Sequence, residues 1–409
     1  MMSRRGAATP LPGVVATQLG FPVLLIGLLV GLLGIAGCGF GGGAEAPAPT
    51  LGTIGSTTVS PADTATSDAD AVTDGAATDE GSGGDAAPAA TIRTPTTMTI
   101  AGWTGATHPL TGLPAVDGVA DRPALAVKIG NNDTKSLPQM GIQSADVVYE
   151  THIENGVTRF LAVFQSEVPL AVGLVRSARS SDIDLIGNLN RPVFAYWGSN
   201  QGVGDEVAEA ERQGTFIPVS TNGEGQAFFF RDEARGEDPY NGFLDAAALV
   251  ASAGRGAPDA LFDFGPSPSS AVTTRGIGWR TPRREIDWVW DHAIARWLRF
   301  HRGAPLLDET GVQLAADNVL VLYVDYRMSD ADLESPQAIT TGSGDGWLLR
   351  DGTITGVTWS RPFTADRWSL ADDDTGDRVN LRPGRTWVAL ARLGEGVLLD
   401  PARIAELVG

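Results

Sequence analysis

Residues 145–165 read ADVVYETHIENGVTRFLAVFQ, two runs rich in β-branched and aromatic residues flanking Asn155-Gly156. Asn-Gly tolerates positive φ at both positions, so the stretch predicts a β-hairpin closed by a two-residue turn. In that register Glu154 pairs with Val157, His152 with Arg159 and Glu150 with Leu161. Strand side chains alternate, so Glu150, His152, Glu154 and Arg159 are expected on one face, with Val147, Tyr149, Ile153 and Phe160 on the core side. Two carboxylates, an imidazole and a guanidinium on one face have two readings. One is a solvated face tied by a salt bridge; the other is a cleft suited to acid–base work or a divalent cation.

Outward from the hairpin, apolar runs at 124–129, 171–175, 193–197 and 227–230 predict further strands, and 182–189, 205–213 and 242–252 predict helices. Beyond a Gly/Pro/Ser/Thr-rich break at 265–274 the runs at 288–290, 295–300, 319–326, 347–350, 353–359 and 386–390 are strand-like, and 401–408 closes the chain as a helix. The fold class expected is α+β. About 300 residues exceed one ordinary core, so a mixed α/β domain at 101–270 and a mainly β domain at 271–409 are expected.

The N-terminal hundred residues are different in kind. Arg4 and Arg5 precede an apolar run at 21–36 that ends in Gly37-Cys38, and Cys38 is the only cysteine. The run is shorter than the roughly 20 residues a bilayer-spanning helix needs, so 1–37 is read as a lipoprotein signal peptide. Cleavage would leave Cys38 as an acylated N-terminus, with residues 38–100, poor in large apolar side chains, as a disordered tether. About 60 such residues have an r.m.s. span of roughly 40–50 Å. The expected location is the outer face of the cytoplasmic membrane, lipid-anchored. The formal charge is −19, and loss of Arg4 and Arg5 makes it −21, which disfavours nucleic acid as a partner.

The order His108-Pro109-Leu110-Thr111-Gly112, Arg122-Pro123-Ala124, Ser144-Ala145-Asp146-Val147-Val148-Tyr149-Glu150, Gly156-Val157-Thr158-Arg159-Phe160 and Leu174-Val175-Arg176-Ser177-Ala178-Arg179 resembles the YerB-like family of bacterial envelope lipoproteins. Pro383-Gly384-Arg385-Thr386-Trp387 extends the likeness into the second half. The resemblance implies a two-part architecture and an envelope address rather than a defined activity. This chain departs from the family pattern at Gly130, where the family carries an aspartate, at Asn155, where it carries a second glycine, and at Tyr240, where it carries a histidine.

Within that frame, Arg176 to Ser181 follow a strand and open a helix, with Ser181 and Asp184 at capping-box spacing and a helix start at Asp182. Arg176, Ser177 and Arg179 there could grip an acid group in forked geometry, or the arginines could simply pair with Asp182 and Asp184. Arg231, Arg235 and Asn241 form another polar cluster, and 198–202 reads as an ordinary loop. Scattered histidines give no zinc spacing, and no Gly-x-Ser-x-Gly elbow is present. The tryptophans crowding the second half are read as core. No cofactor or metal is implied. The leading expectation is an anionic envelope component bound by Arg176, Ser177, Arg179, Arg159, Arg231 and Asn241. A glycan-processing enzyme using Glu150 or Glu154 and a scaffold docking an envelope protein are the alternatives.

Overall fold

The computed structural model describes residues 104–131 and 134–409; the expected leader, Cys38 and the tether lie outside the described residues. The hairpin forms from β2 (Val147–His152) and β3 (Thr158–Phe164), with β1 (Leu125–Gly130) antiparallel on the far side of β3. Its register differs from the expected one. The turn takes three residues, Glu154 to Gly156, closed by Ile153 N–H on Val157 O at 2.9 Å, and Asn155 and Gly156 both have positive φ. Arg159 therefore faces Thr151, and His152 faces Thr158. A one-residue slip exchanges the faces, so Arg159 and Phe160 each lie opposite to where a two-residue turn puts them.

β2 and β3 sit inside an 11-stranded mixed sheet, and neither face of the hairpin is solvated, because a core packs on each side. From one edge it runs Ser369–Asp372, Thr353–Arg361, Gly342–Arg350, Asn318–Tyr323, Thr386–Ala391, β2, β3, β1, Val193–Tyr196 and Ile217–Ser220. Val272–Thr273 joins beside Thr353–Arg361. Strands from both halves of the chain thus share one sheet, joined by the parallel pairing of β2 with Thr386–Ala391. The described residues belong to one compact unit.

A second sheet, built on Gly276–Thr281, Arg284–Asp291 and Arg296–His301, packs on one face, where Trp279, Trp288, Trp290 and Trp297 meet Val148, Phe160 and Trp387. The other face carries α1 (Ser180–Ile186) and α2 (Gln201–Arg212), whose Leu185, Val203 and Val207 join Tyr149, Leu161, Trp359 and Trp368. The tryptophans of the second half are core, with Trp347 only half-buried. The architecture is α+β, as expected.

Several boundaries move for identifiable reasons. α2 begins at Gln201 rather than 205, because Asn200 Oδ1 caps Val203 N–H at 2.8 Å and draws part of the expected loop into the helix. α1 begins at Ser180, where Asp182, not Asp184, accepts the N-terminal amide of Arg179 at 2.8 Å. The helix expected at 242–252 opens as the strand Gly242–Asp245, since Phe243 and Leu244 pair with Gly173 and Val172, and only α3 (Ala246–Ser252) is helical. The run at 319–326 breaks into Asn318–Tyr323 and Tyr326–Ser329. The latter forms a hairpin with Asp332–Ala338 that docks on α1 through Ala338 N–H to Ser181 Oγ, 2.9 Å. The closing helix, α4 (Pro401–Val408), starts where predicted, with Asp400 as cap and Pro401 in the first turn.

His301 gives the second sheet an acid-sensitive point. Burial, then the charges of Arg299, Arg284 and Arg302, push its imidazole down to about 3, and both ring nitrogens are buried without hydrogen bonds. Below pH 6.5 the unfolded chain takes up a proton that the folded chain refuses, so stability falls from there toward pH 3. Urea unfolding at pH 7.5 and 5.0 should show about 1–2 kcal/mol less stability at the lower pH from this residue. In His301→Phe that part of the loss should disappear.

Candidate functional site

The two carboxylates singled out in the hairpin go to different places. Glu150 is fully buried beneath the second sheet. Its Oε1 accepts from Thr158 Oγ1 at 2.7 Å, Arg299 Nη2 at 2.9 Å and Asn131 Nδ2 at 3.3 Å, and its Oε2 from Trp387 Nε1 at 2.9 Å. The Arg299 guanidinium lies over Trp387, Trp288 and Phe160, with ring centroids at 4.6, 5.2 and 5.5 Å. A carboxylate with both oxygens engaged and no solvent contact is a buried ion-pair acceptor, not a placed acid or base. His152 is also buried, with its Nε2 2.8 Å from Glu395 Oε2 and its ring edge-on to Trp279 and Tyr326.

Glu154 sits on the hairpin turn, away from Glu150, and is clamped by Arg179 Nε and by Ser335 Oγ, each at 2.6 Å. Burial raises its affinity for a proton, but the bond and charge of Arg179, helped by Ser335, outweigh this and hold the carboxyl down to about 2. It is an anion throughout the physiological range, poorly suited to give a proton. The carboxylate, imidazole and guanidinium grouping expected on one strand face therefore does not assemble.

The arginines do converge. β1, Val193–Tyr196 and Ile217–Ser220 run parallel, and their carboxyl ends open on one side of the sheet. Ligand crevices of open α/β sheets form at such ends. Residues 174–178 lie across them: Arg176 N–H donates to Lys128 O at 2.8 Å, Trp197 N–H to Arg176 O at 2.9 Å, and Ala178 N–H to Gly198 O at 3.0 Å. A small cavity of about 40 Å³ opens beside this segment, lined among others by Arg176, Ser177, Trp197, Arg231, Asp238 and Pro239. Arg231 Nη1 donates to Asn241 Oδ1 at 2.6 Å and Asp238 Oδ1 at 2.8 Å while its guanidinium lies over Trp197 at 4.8 Å. Arg176 Nη1 donates to Pro239 O at 2.7 Å.

Gly130 and Tyr240 both touch Arg176. Its carbon chain fills the space beside Gly130, where a Cβ would meet Arg176 Cγ at 3.0 Å and Ser136 Oγ at 3.2 Å. The ring of Tyr240 receives the Arg176 guanidinium at 5.2 Å and Lys135 Nζ at 5.4 Å.

Behind the cavity stands Arg159, only 7% exposed. Its Nη1 reaches Ser177 O at a long 3.3 Å, and its Nε is buried without a hydrogen bond. Burial, then the charges of Arg179 and Arg176, push its guanidinium down to about 9, against the opposing pull of Glu154 and Asp182. Beside it, Lys128 Nζ and Asp182 Oδ1 form a fully buried pair at 2.6 Å. Burial pulls that ammonium below its ordinary range, and Asp182 opposes the shift.

Of the residues proposed from sequence, Arg176, Ser177 and Arg231 meet at the cavity, Asn241 holds Arg231 from beside it, Arg159 backs it, and Arg179 lies next to Arg159 but is engaged by Glu154. Arg235 turns to Pro138 O at 2.6 Å. Lys128, Lys135, Trp197 and Tyr240 were not anticipated. A signal existed: the chain has only two lysines, seven residues apart, and both come to this region.

The fold and site define a two-part α+β protein built on one shared sheet, with an arginine-lined crevice at the carboxyl ends of its parallel strands. The chain belongs to the YerB-like family of two-part domains of unknown function. Residues 110–258 match the N-terminal domain described as "Protein of unknown function (DUF3048)", and residues 277–388 match its C-terminal domain. The chain is 26% identical over 297 residues to "Putative lipoprotein YerB" of Bacillus subtilis (strain 168), over 68% of this chain and 84% of that one. The crystal structure of YerB protein from Bacillus subtilis has the same fold, with a TM-score of 0.62 at 24% identity over 72% of this chain and all of the other.

Proposed function

We propose that this is a lipid-anchored envelope protein, held through Cys38 at the outer face of the cytoplasmic membrane, whose crevice binds an anionic envelope component. Arg176, Ser177 and Arg231 would meet the acid group, with Asn241 fixing Arg231 and Arg159 adding charge from behind. The observation that carries the reading is Arg159. A nearly buried guanidinium beside two others, with one long hydrogen bond and an unpartnered Nε, is costly in an apoprotein. An anion at Ser177 offsets that cost. Concentrating cations here, in a chain of formal charge −19, also draws anions to this crevice.

A thermal-shift screen of anionic wall and glycan fragments tests this. A ligand at about 100 times its dissociation constant should stabilise the protein by about 2.7 kcal/mol. The shift should vanish in the double variant Arg176→Ala/Arg231→Ala. A broad anionic panel giving no shift in the parent protein would leave the crevice without a function of this kind.

A further inference from the structure

Three cations of this region already have carboxylates: Asp182 holds Lys128, Glu154 holds Arg179 and Asp238 holds Arg231. A ligand bringing a single carboxylate would only exchange one such partner for another. Among the described residues, no carboxylate pairs with Arg159, whose Nε lacks any acceptor, or with Lys135, which lies against the ring of Tyr240. Both stand next to Arg176, Arg159 as a charge felt across the cluster and Lys135 across the Tyr240 ring. Positive charge left over after these pairs suits the roughly two negative charges of a terminal phosphate near neutral pH. Geometry agrees. The cavity's polar lining comes from two separate segments, Arg176-Ser177 and Arg231, the latter with Asp238 as its ion-pair partner. Donors so distributed suit the several acceptor oxygens of a phosphate better than one planar carboxylate.

We infer that the group bound here is a doubly charged terminal phosphate, an assignment that rests on the anion-binding reading above.

Calorimetric titration of the full chain in uncharged detergent, at matched ionic strength, tests the assignment with four probes: inorganic phosphate, glycerol 3-phosphate, the diester glycerophosphoglycerol and acetate. A terminal phosphate should bind at least about tenfold more tightly than the diester or acetate, and less tightly as pH falls through about 6, where it loses its second charge. Arg176→Gln should abolish the preference. Arg159→Gln should do the same, with Arg159→Lys retaining it if the fold needs a cation there. Tighter binding of glycerol 3-phosphate than of inorganic phosphate supports an ester as the source, and the reverse order supports the free ion. Acetate or the diester binding as well as the terminal phosphates overturns the phosphate assignment and leaves anion binding standing. Binding of none of the four overturns both.

Discussion

Glu150→Ala lowers the unfolding free energy by about 3–5 kcal/mol, the range found when one partner of a buried ion pair is removed. The loss follows from what stays behind. Arg299 is fully buried under aromatic rings, and Glu150 is the carboxylate that pairs with it. Trp387 Nε1 and Thr158 Oγ1 lose their acceptor in the same step. Because β2 carries Glu150 and the second sheet carries Arg299, the cost falls on the joint between the two halves of the chain. Urea denaturation followed by tryptophan fluorescence measures it, since Trp288 and Trp387 flank the pair. The double change Glu150→Gln/Arg299→Met removes both charges and should recover most of the stability. A loss below about 0.5 kcal/mol in Glu150→Ala would be the size of an ordinary surface change and would contradict this account.

Lys128→Met is expected to cost about 3 kcal/mol or more, by the same logic with the sign of the stranded charge reversed. Asp182 is fully buried, and its other oxygen accepts the amide of Arg179. It cannot leave without uncapping α1, so removing the ammonium strands a carboxylate next to Arg159. The variant therefore reads out twice. Equilibrium unfolding reports the stability loss, and titration with the anionic ligand reports weakened binding, because an uncompensated negative charge has been placed behind the cavity. Asp182→Asn should also destabilise, but it removes that negative charge, so anion affinity should hold or rise. Opposite effects on binding from two variants that both destabilise separate the electrostatic role from a merely structural one.

Much of this was legible from local pattern. The runs around β1, β2 and β3, the closing helix at 401–408 and the tryptophan-rich second half read correctly because apolar periodicity depends on near neighbours alone. The arginine cluster was partly legible too. Arg176, Ser177 and Arg179 stand where a strand hands over to a helix, a place where backbone and charge often meet a ligand. The hairpin register was not. Asn155-Gly156 fits both a two-residue and a three-residue turn, and only the packing of both faces of β2 and β3 selects between them.

Local sequence determined which segments become strands and helices, where the second half gathers its aromatic core, and that positive charge collects near residue 176. Tertiary structure decided what each charged side chain does. Whether Glu150 is an acid in a cleft or the buried partner of Arg299 depends on a contact 149 residues away in the chain. Whether Arg159 faces Glu150 or Lys128 depends on one residue of register. Burial multiplies the strength of a charge and abolishes its access to solvent, and burial is a property of the packed sheet rather than of any stretch of sequence.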